Sequence, residues 1–443
     1  MSYAAAIEQL NAMVPELFTG RGQARRKFSL DEIRALLVPL GDPHRRFPSV
    51  LIAGTNGKGS TAATLASILT ASGLRTGLYT SPHLARANER IRIDRTEIGD
   101  DTFAASYFRV HDAAQQLVLD GQLEQLPSYF EMLTAQAFLC FAEAQVEIAV
   151  LEVGMGGRLD ATNIVDPLLS IMTDISLDHM EWLGSTIAEI TREKAGILRP
   201  SGTLITLPQH PEANQVLGEV AAELEARAVS AVPYMPGLGA DPAESYCVEA
   251  LGATVEVGSP LRGAHQHRNL ALAVAAAVEL AETGALPITP SSIAAGIRQT
   301  VWPGRLERLN VGGVEWILDV AHNPAGAWAL RAGLRDAFKG NQAGTLIFSC
   351  LRDKPINEMA QILFPVFDQV IFAPIQSARA AALGDLTASA RITGTVAVAA
   401  GSVAEALRLA NDRADGRAIV ISGSVYLVGE ARSLLLAESS AHR

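Results

Sequence analysis

A short apolar run, Val50 to Ala53, breaks into Gly54-Thr55-Asn56-Gly57-Lys58-Gly59-Ser60, and beyond it Ala62, Leu65, Ala66, Ile68 and Leu69 recur at helical spacing. Strand, glycine-rich turn and helix in that order constrain this chain more than any other feature. A turn at a helix N-terminus presents free backbone N–H groups and the positive end of the helix dipole, so it suits an anion. Gly54, Gly57 and Gly59 let the main chain approach phosphate, Lys58 can neutralise it, and Ser60 or Thr61 can offer a hydroxyl toward magnesium. The spacing departs from the standard P-loop template. Ile52 stands where that template has its first glycine, and Gly59 separates the lysine from the hydroxyl residues, so which hydroxyl meets the metal stays open. The alternative is an ordinary strand-turn-helix corner; the ordered presence of strand, turn, lysine, hydroxyls and helix favours a phosphate site.

A chain of 443 residues exceeds what one hydrophobic core serves, so two or three domains are expected. With 49% hydrophobic and 19% charged residues it reads as compact, and a formal charge of -11 argues against a broad nucleic-acid surface. One local basic stretch, Arg21 to Lys27 (Arg21, Arg25, Arg26, Lys27), reads as a solvated face, with an anionic substrate as the other reading. Cys140, Cys247 and Cys350 lie far apart, which suggests neither a disulfide framework nor a zinc site and fits a reducing cytoplasm. The N-terminal residues lack a secretory pattern, and the longest apolar stretch, Leu270 to Val278, is too short to span a bilayer.

Strand-like runs at Thr76 to Tyr79, Ile148 to Val153, Leu168 to Ile175 and Thr203 to Thr206 alternate with helical patterns, one of them starting at a Thr186/Glu189 capping box and another running from Gln266 through Leu280. Leu286-Pro287-Ile288-Thr289-Pro290 and Trp302-Pro303-Gly304 flank a short helix near Ser291 to Arg298 and mark a linker. The alternation then restarts, with strands near Val314 to Val320, Thr345 to Cys350, Gln369 to Ala373, Val396 to Ala399 and Ala418 to Ser422. The expected fold class is α/β: an N-terminal P-loop domain over residues 1–298 with a mainly parallel sheet, and a smaller C-terminal Rossmann-like domain over 299–443.

Active sites of open parallel sheets gather beyond the strands' C-terminal ends. There stand Glu152, beside Gly154-Met155-Gly156-Gly157-Arg158-Leu159-Asp160-Ala161-Thr162-Asn163, and the run Thr173-Asp174-Ile175-Ser176-Leu177-Asp178-His179-Met180-Glu181-Trp182. Glu152 suits a magnesium ligand, or a turn cap; Asp160 suits an Asx-turn. His179 taken alone reads as a hydrogen-bonded structural histidine, and Lys194 as a solvated surface lysine.

Taken together these segments resemble folylpolyglutamate synthase and dihydrofolate synthase, members of the Mur ligase superfamily of ATP-dependent amide ligases. The resemblance covers nearly the whole chain and rests most on 53–60, on Thr80-Ser81-Pro82-His83-Leu84 and on 151–163. It continues through His265-Gln266-His267-Arg268-Asn269, Pro303-Gly304-Arg305-Leu306-Glu307, Asp319-Val320-Ala321-His322-Asn323-Pro324 and 422–430. It implies Thr55, Asn56, Gly57, Lys58, Gly59 and Ser60 on the ATP phosphates. Ser81, Glu152 and His179 would hold two magnesium ions, and Lys194 would be carbamylated, its tip a carboxylate at the metal. Asn269, Arg305, Asp319 and His322 would contact the nucleotide, so that ATP bridges the domain cleft. Phe28, Ser128, Tyr129, Phe130, Glu131, Leu159, Asp160 and Ala161 would hold the pterin.

The implied reaction adds L-glutamate to dihydropteroate, and to the γ-carboxyl of folates, through an acyl phosphate, with Lys58, Lys194 and His179 at the chemistry, in a cytoplasmic monomer. A Mur-type ligase for another acid, or a P-loop NTPase, are the alternatives; a simple NTPase has no use for Arg305 and Asp319.

Overall fold

A computed structural model describes residues 2–13, 29–237, 245–282, 286–338, 343–414 and 416–441. The basic stretch 21–27 and Phe28 lie outside the described residues.

Eight strands form the first sheet: β1 (Ser49–Ala53), β2 (Thr76–Tyr79), β3 (Ile91–Ile93), β4 (Thr96–Glu97), β5 (Ile148–Glu152), β6 (Leu169–Met172), β7 (Thr203–Thr206) and β8 (Arg227–Ser230). Their order is β4-β3-β2-β5-β1-β6-β7-β8, parallel except where β3 pairs antiparallel with β2 and β4. Every residue of β1 is buried, because helices cover both faces of the sheet. Val50 and Ile52 face a core shared with Leu65, Ile68 and Leu270, whereas Leu51 and Ala53 face one shared with Tyr79, Leu133 and Phe138. Period-two alternation thus feeds two cores from one strand.

β9 (Tyr246–Ala250) and β10 (Ala253–Val257) make a separate antiparallel hairpin. The second large sheet holds β11 (Glu307–Val311), β12 (Val314–Leu318), β13 (Ala343–Phe348), β14 (Phe367–Phe372), β15 (Val396–Ala399) and β16 (Ile419–Ser422), in the order β11-β12-β16-β13-β14-β15. It is parallel apart from β11 against β12.

The expected helices are present as Ile187–Ala195, with Thr186 and Glu189 closing its capping box, Ala264–Glu282 and Pro290–Arg298. Two expected strands are shorter than read. β6 stops at Met172 because the Asp174 carbonyl turns to accept the Thr55 and Asn56 N–H groups, at 2.8 and 3.1 Å. β12 stops at Leu318 because Asp319 uses its carboxylate to cap the backbone of Leu306 and Ala321. Among the described residues no helix is long and apolar enough to cross a membrane.

Candidate active site

β1 lies between β5 and β6, so the loop after Ala53 emerges where three strand ends meet. Gly54 sits at φ +144° and Gly57 at φ +90°, and Gly57 starts the helix Lys58–Ala71. A side chain on Gly57 would also meet Asn269, whose Oδ1 lies 2.2 Å from where a Cβ would stand, so Asn269 is pressed against the loop. Thr61 makes the first intrahelical bond, to Gly57 O, which leaves the N–H groups of Lys58, Gly59 and Ser60 ahead of the ladder. Thr55 and Asn56 are differently employed. Their N–H groups go to Asp174, the Thr55 hydroxyl donates to Ser176 O, and the Asn56 amide donates to Ser176 Oγ, while Arg268 clamps the Asp174 carboxylate at 2.6–3.0 Å. These two residues brace the loop against the end of β6.

Lys58 folds across its own turn, Nζ donating to Gly54 O (3.1 Å) and Thr55 O (3.2 Å). Lys194 is no surface lysine: only 4% exposed, it reaches from the last turn of its helix to donate to the same Gly54 O at 2.9 Å. Its amphipathic helix buries this face against the loop, a placement that spacing along the chain does not reveal. Burial above all, and then Lys58, push its ammonium down to about 7.

Glu152 ends β5 and is buried, with Ser81 N–H donating to its Oε2 at 3.1 Å. Burial raises this carboxyl, and Lys58 is the strongest opposing influence. His179 sits at φ +51°, its Nε2 4.0 Å from Asp178 Oδ1. Burial pushes the imidazole down to about 4, so it is neutral at neutral pH and keeps a lone pair to offer. A hydroxyl, a carboxylate and a neutral imidazole suit Mg²⁺, which keeps open positions for water and phosphate oxygens. Among the described residues no three His, Cys, Asp or Glu side chains form a cluster that could hold a metal ion.

The C-terminal sheet closes the site from the other side. Asp319 holds Leu306 N–H and Ala321 N–H at 2.9 Å each, which fixes the backbone beside half-buried Arg305. His322 Nδ1 donates to Val320 O at 2.9 Å, which sets the tautomer and leaves Nε2 free, 3.9 Å from Asp178 Oδ2. Asn323 Nδ2 bridges Asn56 Oδ1 (3.0 Å) and Asp178 Oδ2 (3.2 Å), and buried Lys354 meets Asp178 Oδ1 at 2.6 Å. Burial opposes ionisation of Asp178, yet His179, Lys354 and His322 outweigh it and hold the carboxyl below its ordinary range.

Beyond Glu152 opens a cleft of about 840 Å³, solvent mouth included, lined among others by Ser128, Phe130, Glu131, Leu159, Asp160 and Ala161. Ser128 and Glu131 also form the capping box of the helix Tyr129–Glu143, and Asp160 is the expected Asx-turn, accepting from Thr162 N–H at 3.0 Å and from Met155 N–H at 3.0 Å. Tyr129 does not line this cleft; its ring lies under the Arg90 guanidinium at 5.4 Å.

Residues 52–277 match the Mur ligase middle domain, and residues 304–425 match the Mur ligase, glutamate ligase domain. The first of these matches alone covers half of the chain. The chain belongs to the Mur ligase family. Within that family it is 36% identical to the dihydrofolate synthase/folylpolyglutamate synthase of Mycobacterium tuberculosis, over 92% of this chain and 90% of that one. A crystal structure of the M. tuberculosis folylpolyglutamate synthase with ADP and AMPPCP superimposes with a TM-score of 0.86 at 34% identity, covering 98% and 99% of the two chains. The Escherichia coli FolC structure with DHPP and ADP gives a TM-score of 0.81 at 30% identity, covering 99% and 98%. This Mur ligase is an ATP-dependent ligase.

Several residues of the site escaped sequence reasoning. Asp178 stood beside His179 in the run already singled out, and Asn323 within 319–324, so position hinted at both. Met155 and Trp182, which also line the cleft, stood in the same two singled-out runs; Lys354 gave no such hint. Trp302 belonged to the linker; its ring packs on Gly59, 2.9 Å from where a Cβ would stand.

Proposed function

We propose that this Mur ligase joins L-glutamate to dihydropteroate and to the γ-carboxyl of folates, through an acyl phosphate. What carries the reading is one juxtaposition: Phe130 of the cleft wall packs on Gly154, two residues past Glu152 at the end of β5, and β5 lies beside β1, from whose end the glycine loop emerges. A flat heterocycle with N–H edges fits an aromatic wall and a buried carboxylate, and its acid end then points toward the phosphates.

In this reading residues 1–298 carry ATP and the acid, and residues 299–443 supply Arg305, Asp319 and His322 to the nucleotide. Magnesium, held by Ser81, Glu152, His179 and a carbamylated Lys194, would neutralise phosphate charge as a pair of ions. The N–H groups of Gly57, Lys58, Gly59 and Ser60 cradle phosphate oxygens, and Lys58 leaves its loop carbonyls for them. Substrate carboxylate oxygen attacks the γ-phosphorus, the bond to the bridging oxygen breaks and ADP leaves; the glutamate amine attacks the acyl carbon, losing a proton, and phosphate departs. The contacts of Asn323 and Lys354 to Asp178 keep water from the acyl phosphate. Cys140, Cys247 and Cys350 are free thiols, which is in keeping with a cytoplasmic setting.

Phosphate release should require ATP, the pterin acid and L-glutamate together, each omitted in turn. Release undiminished without the acid would favour an NTPase, and release with acids lacking a pterin would favour a ligase of another substrate.

A further inference from the structure

Three arginines follow one another along the edge of the first sheet, and two of them have acid partners. Arg86 pairs with Asp100, and Arg92 with Glu97 at 3.3 Å. Arg90, between them and only 7% exposed, has no carboxylate partner among the described residues. Its Nε–H donates to His83 Nδ1 at 3.0 Å, and its guanidinium lies 5.4 Å over the Tyr129 ring. The four N–H groups on its two terminal nitrogens find no acceptor among the described residues. Burying a cation so incompletely paired costs free energy unless a ligand brings the missing anion.

Its position says which anion. The Arg90 carbonyl accepts Thr80 N–H at 3.0 Å, which ties it directly behind Ser81, the residue whose N–H holds Glu152. Tyr129, on which it stacks, adjoins Phe130 of the cleft wall. His83 does not share the role as a second cation, because its Nδ1 accepts the Arg90 Nε–H and therefore carries no proton of its own.

We propose that Arg90 binds the reacting carboxylate of the acid substrate, its free N–H fork facing both carboxylate oxygens beside the Ser81–Glu152 corner. This assignment rests on the ligase reading above. Bringing a carboxylate against the γ-phosphoryl group opposes two negative charges; a guanidinium offsets that repulsion, and it still faces the acyl oxygen after the new O–P bond forms and ADP leaves. His83 and Tyr129 are positioning residues that fix the plane of the fork.

Wild-type protein is first shown to cleave ATP only when the acid is present; failure there sinks the ligase reading and not this assignment alone. Binding of dihydropteroate and of its carboxamide, in which the charge is absent, is then compared by calorimetry in the presence of AMPPCP. Wild type should prefer the acid on the order of 100-fold, and Arg90→Ala should bind the two within about threefold, with AMPPCP affinity unchanged. Arg90→Ala should lose on the order of 100-fold in kcat/KM for the acid, with millimolar guanidinium restoring part of it. Arg90→Lys, which keeps the charge without the fork, should fall between. A wild type that binds acid and carboxamide alike overturns the proposal even if no variant folds. So does an Arg90→Ala protein that loses AMPPCP and acid together and is not rescued, since that marks a structural cation.

Discussion

Two lysine side chains share one carbonyl oxygen, with Lys58 at 3.1 Å and Lys194 at 2.9 Å from Gly54 O. At a pKa of about 7, roughly half of the Lys194 amine is neutral at neutral pH. Only a neutral amine attacks CO₂, so the carbamylation of Lys194 proposed above would draw on this neutral fraction and would replace one of two neighbouring cations with an anion. Carbamylation is therefore favoured above pH 7 and lost below it, and activity lost at pH 6 should partly return when bicarbonate is raised. Lys194→Ala should lose at least 100-fold in turnover while its melting temperature stays within a few degrees, and acetate should restore part of the activity; full activity in that variant refutes the role. His44 makes a second case. It is buried, its Nδ1 has no hydrogen-bond partner among the described residues, and burial, partly countered by Asp42, lowers it from 6.5. Below pH 6.5 the unfolded chain binds a proton there that the folded chain refuses, so the contribution to stability is present above 6.5 and is lost as pH falls. Urea denaturation should show wild type losing stability relative to His44→Leu between pH 7.5 and 5.5; a gap that does not change with pH would exclude this.

Among the elements, the helix Lys58–Ala71 is buried along most of its length, so its neighbours must come close. Gly296 on the helix Pro290–Arg298 allows this: a Cβ there would lie 2.3 Å from Ile68 Cα, and Gly296 O accepts the Ser67 hydroxyl at 2.7 Å. Because the clash is with backbone, no rotamer relieves it. Gly296→Ala should cost about 1–3 kcal/mol in urea denaturation, despite alanine's better helix propensity, with the loss carried to the phosphate loop as weaker ADP binding. A neutral or stabilised variant would show that the helices can part.

For the whole molecule, Asp178 joins the end of β6 to the C-terminal sheet through Lys354 and Asn323, and Asn323 reaches on to Asn56 of the phosphate loop. Removing one partner of a buried pair leaves a stranded charge, costing several kcal/mol if the contact stays shut. Lys354→Met should therefore open the domains, increase the radius of gyration in small-angle scattering with ADP bound, and lower kcat at least tenfold. An unchanged radius together with unchanged kcat would remove Lys354 from closure.

By itself the sequence determined the strand-loop-helix corner, the main parallel strands as segments along the chain and the Thr186/Glu189 capping box, because each rests on neighbours a few residues apart. It also placed Glu152, Asp160 and His179 at strand ends, where an open sheet collects polar groups. The hairpin β9–β10 was legible too, in the inward alternation of Val248 and Ala250 with Val255 and Val257, although the reading passed over it. Local pattern could not show that Lys194 is buried against Gly54, that Asp174 ends β6 by holding the loop, or that Lys354 meets Asp178 across 176 residues. Those facts depend on which surfaces face each other once both sheets are packed, since burial, pairing and proton affinity belong to the space around a side chain and not to its place in the chain.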